Sequence, residues 1–381
     1  MENDETLHVQ APYVVAIGGG KGGVGKSVVA LNLAVAMSHL GARVSLVDAD
    51  LGSANLHTML GIDRPVRTLQ ALVEGQVESL QELNVSTTIP GLSLIPGSAA
   101  VPGAANLQHT RKKKLLRHIA KLDADVVVID CGAGVHYNVV DFFTSANLQL
   151  LVATPQLVSM QNAYGFMKAC IYRTLQQAAQ HAGKAQLFES SSERSELENL
   201  PRLFERLAVN EPELAQAMRA LLAQQQVALI GNQLSDEREA NALRALSRMF
   251  QDFLCLNVPV LGCLQRRDRI HASVTRRKPF VLDQHDAEST LLLDIAEAYL
   301  PMRPHKEGHE RPFVKAASPS AVPLPSRLPH APPAPRDTSG ATPSTGVRNV
   351  RVLRVSPASP SQRAAAAGGD SLRPKQARPG V

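Results

Sequence analysis

Along the first three hundred residues, short apolar runs alternate with longer stretches whose apolar residues recur every third or fourth position. The short runs predict strands at residues 14–17, 43–47, 92–95, 126–129, 149–153, 227–230 and 258–264. They are apolar almost throughout, as strands covered on both faces are; a strand with one wet face alternates instead. The longer stretches predict helices at residues 27–40, 109–121, 139–145, 158–180, 237–253 and 288–300. This alternation predicts an α/β fold, a mostly parallel twisted sheet with helices on both faces. Residues 182–225 interrupt it with an acidic, Leu-rich stretch whose spacing predicts two or three amphipathic helices. That insertion is expected to be extra architecture, with a docking surface as the rival reading.

The pattern stops near residue 304. Residues 305–381 hold 13 of the chain's 25 prolines, together with many Ala, Ser and Arg, and lack apolar periodicity. Such a composition predicts a disordered tail. The expected organisation is a short extension (1–11), one folded domain (12–304, with the helical insertion at about 182–225) and the tail (305–381). Charge divides the same way. The tail carries 12 Lys+Arg against 4 Asp+Glu, and residues 1–304 carry 28 against 30. The basic balance of the chain therefore belongs to the tail, where contact with membrane, DNA or an acidic protein is expected if it occurs. Residues 347–355, VRNVRVLRV, mix apolar and basic side chains and form its expected docking segment. Cys131, Cys170, Cys255 and Cys263 show no C-x-x-C spacing, which suits a reducing compartment. An acidic start and the lack of any apolar run near ~20 residues predict a cytoplasmic protein without a membrane span.

Candidate chemistry concentrates after the first strand. Gly20-Lys21-Gly22-Gly23-Val24-Gly25-Lys26-Ser27 fits the phosphate-binding pattern G-x-x-x-x-G-K-[ST], between a predicted strand and a predicted helix. The glycines let successive backbone N–H groups converge on phosphate oxygens, in conformations that a Cβ obstructs. Lys26 is expected to reach the β- and γ-phosphates and the Ser27 hydroxyl to ligate Mg²⁺, while the helix N-terminus adds positive potential. The expected ligands are thus ATP and Mg²⁺.

Three carboxylates lie at predicted strand ends. Asp48 and Asp50 close the second strand and Asp130 the fourth, at the edge where open α/β sheets bind ligands. Asp130 sits where a Walker B aspartate would hold Mg²⁺, directly or through water, and Asp50 is a second candidate for the metal. Asn232, past a late strand, has an amide that can pair with adenine; a plain turn Asn is the alternative. The run 111–114 (RKKK), with Arg117 and Lys121, predicts a basic, solvated helix face.

Together these residues resemble a known family. Residues 21–27, KGGVGKS, resemble the deviant Walker A motif of the MinD/ParA ATPases. Asp48-x-Asp50-x-Gly52-x-x-Asn55 looks like their switch I, and Asp130-x-Gly132-Ala133-Gly134 like their switch II. The stretch 154–165 is similar to the branch containing FlhG, which regulates flagellar number and placement. The resemblance implies an ATP-dependent homodimer with nucleotides sandwiched between subunits, a slow ATPase stimulated by a protein partner, and transient recruitment to a membrane or cell pole. It implies that Lys21 reaches the partner's phosphates, that Asp50 orients the attacking water, and that Asp48 supports Asp50 and the Mg²⁺ shell. One departure is local: where the family commonly shows G-x-I-P-x-D, this chain reads Gly262-Cys263-Leu264-Gln265-Arg266-Arg267-Asp268.

The expected function is a MinD/FlhG-type ATPase switch that positions flagella, division machinery or cell-pole components. The alternative is a ParA-like DNA-segregation ATPase whose ATP dimer binds DNA non-specifically. An iron–sulfur carrier of Mrp type shares the P-loop, but the missing C-x-x-C pair disfavours it. Retention of Lys21, Asp50 and Asp130 disfavours a scaffold that binds ATP without turnover.

Overall fold

The computed structural model describes residues 11–50, 52–97, 109–188, 200–283 and 286–300. Nearly all of the expected N-terminal extension, the middle of the insertion and the expected tail lie outside the described residues, as does the expected docking segment at 347–355.

The described strands form one sheet in the order β3-β4-β2-β5-β1-β6-β7-β8. They are β1 (Tyr13–Gly18), β2 (Val44–Ala49), β3 (Val85–Ser86), β4 (Leu92–Ile95), β5 (Val126–Cys131), β6 (Leu148–Ala153), β7 (Val227–Leu234) and β8 (Val260–Gln265). All neighbours run parallel except β3, which pairs antiparallel with β4 at one edge. The apolar β1 occupies the middle, between β5 and β6. Val14 and Ala16 enter one hydrophobic core and Val15 and Ile17 the other. Successive side chains leave opposite faces, so a strand buried on both has no position to spare for polar residues.

Helices cover both faces. On one lie α1 (Lys26–His39), the short α2 (Leu56–Met59), α10 (Asp268–Thr275) and α11 (Ala287–Tyr299). The other carries α3 (Leu69–Val73), α4 (His109–Ile119), α5 (Tyr137–Thr144), α6 (Leu157–His181), α7 (Leu200–Asn210), α8 (Pro212–Ala223) and α9 (Ala240–Leu254). Buried Asn32 on α1 is satisfied twice: its Nδ2 donates to the Val28 carbonyl (2.8 Å) and its Oδ1 accepts from the Val281 N–H (3.0 Å). The described part of the insertion contains two amphipathic helices. Leu203, Phe204 and Leu207 of α7 and Met218 and Leu222 of α8 sink into the core beside α6.

The sequence pattern leaves out β3, α2, α3 and α10. Each is eight residues or shorter. One helix-face expectation is overturned. Lys112, expected in solvent with its basic neighbours, is buried and ion-paired to Asp141 of α5. Arg173 of α6 holds the same carboxylate, Nε to Oδ1 at 2.8 Å. α4 turns Leu115 and Ile119 into the core, and Lys112 lies on the same face of the helix, so a charged partner must be supplied there.

Candidate active site

β1 ends at Gly18 and α1 begins at Lys26, leaving the glycine-rich loop between them at the carboxyl edge of the sheet. Gly23 (φ +80°) and Gly25 (φ +92°) have left-handed backbones. A Cβ on Gly25 would also run into the Asn232 amide, and one on Gly20 into the backbone carbonyl of Asn162 on α6. The loop is therefore squeezed between β7 and α6. The two lysines diverge. Lys26 is buried, its Nζ donating to the Lys21 carbonyl (3.3 Å), while the Lys21 side chain is exposed. One cation thus faces the loop interior and the other faces outward.

The three carboxylates meet where expected. Asp48 and Asp130 are register partners on β2 and β5, and Asp130 also pairs with Ile17, directly before the loop strand's last residue. Asp48 is buried and binds its own downstream loop. Its Oδ1 accepts from the Asp50 N–H (3.3 Å), and its Oδ2 from those of Asn55 (3.0 Å) and Leu56 (3.1 Å). It acts as a brace for that segment. Asp50, half-buried, accepts through Oδ1 from Gly52 (3.3 Å) and Ser53 (3.0 Å) and packs beside Gly132. The segments after β2 and β5, read in sequence as two switches, thus touch.

Asp130 is buried, hydrogen-bonded to Ser27, and near the Lys26 charge. Its Oδ1 has no partner. Burial pushes its carboxyl up first, and the Asp48 charge pushes it further, against the pull of Ser27 and Lys26. Burial likewise raises Asp48, against its three backbone donors. A buried, unpartnered carboxylate oxygen beside a hydroxyl is a hard oxygen donor set that suits Mg²⁺. Ser27 and Asp130 fit that cation directly; Asp50 stands close by with one oxygen already engaged.

Asn232 departs from expectation. It lies within β7, not past it, and its amide Nδ2 donates to the Val24 carbonyl (2.8 Å), so the side chain holds the loop. Its neighbour Gln233 does the same, Nε2 to the Gly23 carbonyl at 3.1 Å. Gln233 was not anticipated from sequence. The only signal was a polar pair, Asn-Gln, closing an otherwise apolar strand. At the same end, residues 262–268 span the end of β8 and the start of α10, whose Arg269 is tied to Glu288 and Asp286. Apolar side chains stand exposed on the carboxyl edge: Val135 (55%) and Tyr137 (63%) after β5, Leu157 (66%) and Val158 (53%) after β6.

The ParA family model, described as an NUBPL iron-transfer P-loop NTPase, matches residues 10–174, the stretch holding the loop and all three carboxylates. That stretch is a ParA-family P-loop NTPase domain. The antiactivator FleN of Pseudomonas aeruginosa is 37% identical over 157 residues, 41% of this chain and 55% of FleN. The septum site-determining protein MinD of Bacillus subtilis is 31% identical over 150 residues, 39% of this chain and 56% of MinD. The chain spans about half the length of the curated relatives it matches. Among solved structures, the Pyrococcus horikoshii MinD complexed with Mg-ADP aligns with a TM-score of 0.52. It covers 75% of this chain and 95% of its own, at 20% identity. The Aquifex aeolicus MinC:MinD complex aligns at 0.51, covering 77% and 98%, again at 20% identity. At that identity the likeness is one of fold: the ParA-family domain and the strands after it complete a MinD-like sheet.

Proposed function

We propose that this chain is an ATP-hydrolysing dimerisation switch of the MinD/FlhG type, which positions flagellar, division or cell-pole machinery from the cytoplasm. The observation that carries this reading is the divergence of the two loop lysines. Lys26 is buried where β- and γ-phosphates of the chain's own nucleotide would lie. Lys21 is exposed, free to approach a nucleotide held by a second copy. The exposed apolar residues Val135, Tyr137, Leu157 and Val158 flank that open side and support a second copy docking there. Ser27 and Asp130 would hold Mg²⁺, which when bound neutralises charge shared by the β- and γ-phosphates. Asp50 would orient a water, and Asp48, which fixes the loop that carries Asp50, would support it. Hydrolysis then dissolves the dimer and releases what it holds. The relatives' names, an antiactivator and a septum site-determining protein, support a regulatory or positioning role. The four cysteines, without C-x-x-C spacing, give no support to an iron-carrying role.

The test is molar mass in solution for the wild type, Lys21→Ala and Asp50→Ala, each with ADP and with Mg-ATP. Asp50→Ala is expected to bind ATP without hydrolysing it and to accumulate as a dimer; Lys21→Ala stays monomeric. An Asp50→Ala protein that binds ATP and remains monomeric would end the switch reading.

A ParA-like role on DNA is the second reading, favoured by the exposed cations Arg111, Lys113, Lys114, Arg117 and Lys121 on and just after α4. It expects salt-dependent DNA binding only in the presence of ATP.

A further inference from the structure

We infer that Asn232 and Gln233 form a two-amide clamp that presets the phosphate-binding loop, with Gln233 as a positioning residue for the triphosphate. The inference rests on the ATPase reading above and concerns how that site is held before nucleotide arrives.

Neighbouring residues of a regular strand send their side chains to opposite faces. Here both amides reach the same loop, and the pairing of β7 with β8 shows how. Gly231 pairs with Cys263 and Leu234 with Gln265, so two β7 residues, Asn232 and Gln233, stand opposite the single residue Leu264. This extra residue is a bulge, which re-aims side chains. Gln233 adopts φ +59°, a left-handed conformation that costs a residue with a Cβ. Its backbone N–H bonds the Asn232 Oδ1 at 2.9 Å, which orients that amide with its nitrogen toward the loop.

The consequence lies in the peptide planes. In a trans peptide, the carbonyl of one residue and the N–H of the next point in opposite directions. No cis bond occurs among the described residues. Gln233 holds the Gly23 carbonyl (3.1 Å) and Asn232 the Val24 carbonyl (2.8 Å) toward β7. The N–H groups of Val24 and Gly25 are thereby turned the other way, to the side the phosphates occupy. Consecutive N–H groups fixed in this manner make an anion-binding concavity. Holding it open in advance spares the nucleotide the cost of ordering the loop. The clamp also explains why residue 25 is a glycine: the Asn232 amide nitrogen fills the space of its Cβ.

Two variants of the full chain test Gln233. Gln233→Gly removes the side chain and suits the left-handed backbone; Gln233→Glu keeps the shape but turns an acceptor toward the Gly23 carbonyl. Binding of Mg-ATP, Mg-GTP and inorganic tripolyphosphate is measured by calorimetry, steady-state ATPase separates KM from kcat, and hydrogen exchange follows the loop peptide in nucleotide-free protein. All three ligands are expected to bind about three- to tenfold more weakly to Gln233→Gly, the worth of one neutral hydrogen bond. Gln233→Glu should lose more, the ATP-to-GTP ratio should hold, and KM should rise by more than kcat falls. Loop exchange should quicken in both variants, without a lower melting temperature for Gln233→Gly. Unchanged affinities, or an altered ATP-to-GTP ratio with unchanged tripolyphosphate binding, would overturn the clamp; the latter would make Gln233 a base reader. A wild type that binds no nucleotide would sink the ATPase reading alone, and the exchange rates would still decide the clamp.

Discussion

Asp141 shows what a single buried charge does in this domain. It receives Arg173 and Lys112 from two other helices, and Arg173 also lies over the Tyr137 ring at 5.0 Å. Burial alone would raise its carboxyl, but the hydrogen bonds from Arg173 and Lys112 outweigh it and leave the group below the ordinary carboxylate value. Asp141→Asn strands two cations, so a loss of about 3–5 kcal/mol is expected, read from urea midpoints. The sign of the pH dependence follows from the depressed folded value. The contribution is fully present above the unfolded value of about 3.9 and is lost as pH falls through the folded one. The gap between wild type and variant should therefore hold from pH 7 to 5 and narrow toward pH 3. A gap that stays constant to pH 3 would show that the ion pairs contribute nothing there. From sequence, Lys112 was one of four consecutive cations; only the packing of α4 beside α5, which carries Asp141, marks it as the inward one.

At the scale of elements, one close fit of strand against helices lies under the phosphate loop. A Cβ on Gly18, the last residue of β1, would stand 2.5 and 2.7 Å from ring carbons of Phe143 and 3.1 Å from Phe166. Those rings, on α5 and α6, meet edge to face with centroids 5.0 Å apart, and both are fully buried. Gly18→Ala must therefore push α5 and α6 away from β1, at about 1–3 kcal/mol. A fall in the urea midpoint at unchanged slope is expected, and an unchanged midpoint would mean that the rings yield freely. The long elements were legible in the sequence because an apolar period repeats several times within them. The bulge in β7 was not, since it depends on how β8 lies alongside, and that register is a relation between residues about thirty positions apart.

Across the whole chain, charge is unevenly distributed. The total is +6, although residues 1–304 carry a small excess of acid and residues 305–381 a surplus of 12 basic over 4 acidic side chains. Ending the chain at residue 304 thus reverses the sign of its net charge. If a polyanion binds through that segment, the shortened protein should lose salt-sensitive retention on DNA, measured as the slope of affinity against salt. Retention with an unchanged slope would assign the contact to the exposed cations of α4 instead.

The sequence by itself determined the chemistry of the loop and the class of the fold. A P-loop is a contiguous pattern of glycines, lysine and serine, and two-sided burial writes itself into a strand as an unbroken apolar run. Asp48, Asp50 and Asp130 were legible too, because parallel strands place their carboxyl ends on one edge. Tertiary structure decided what those side chains touch. It gave Asp48 to its own loop, left one oxygen of Asp130 without a partner, took Lys112 out of solvent, and turned Asn232 and Gln233 together onto the loop. Each of these depends on segments far apart in the chain meeting at a particular angle and register, which no local pattern of residues encodes.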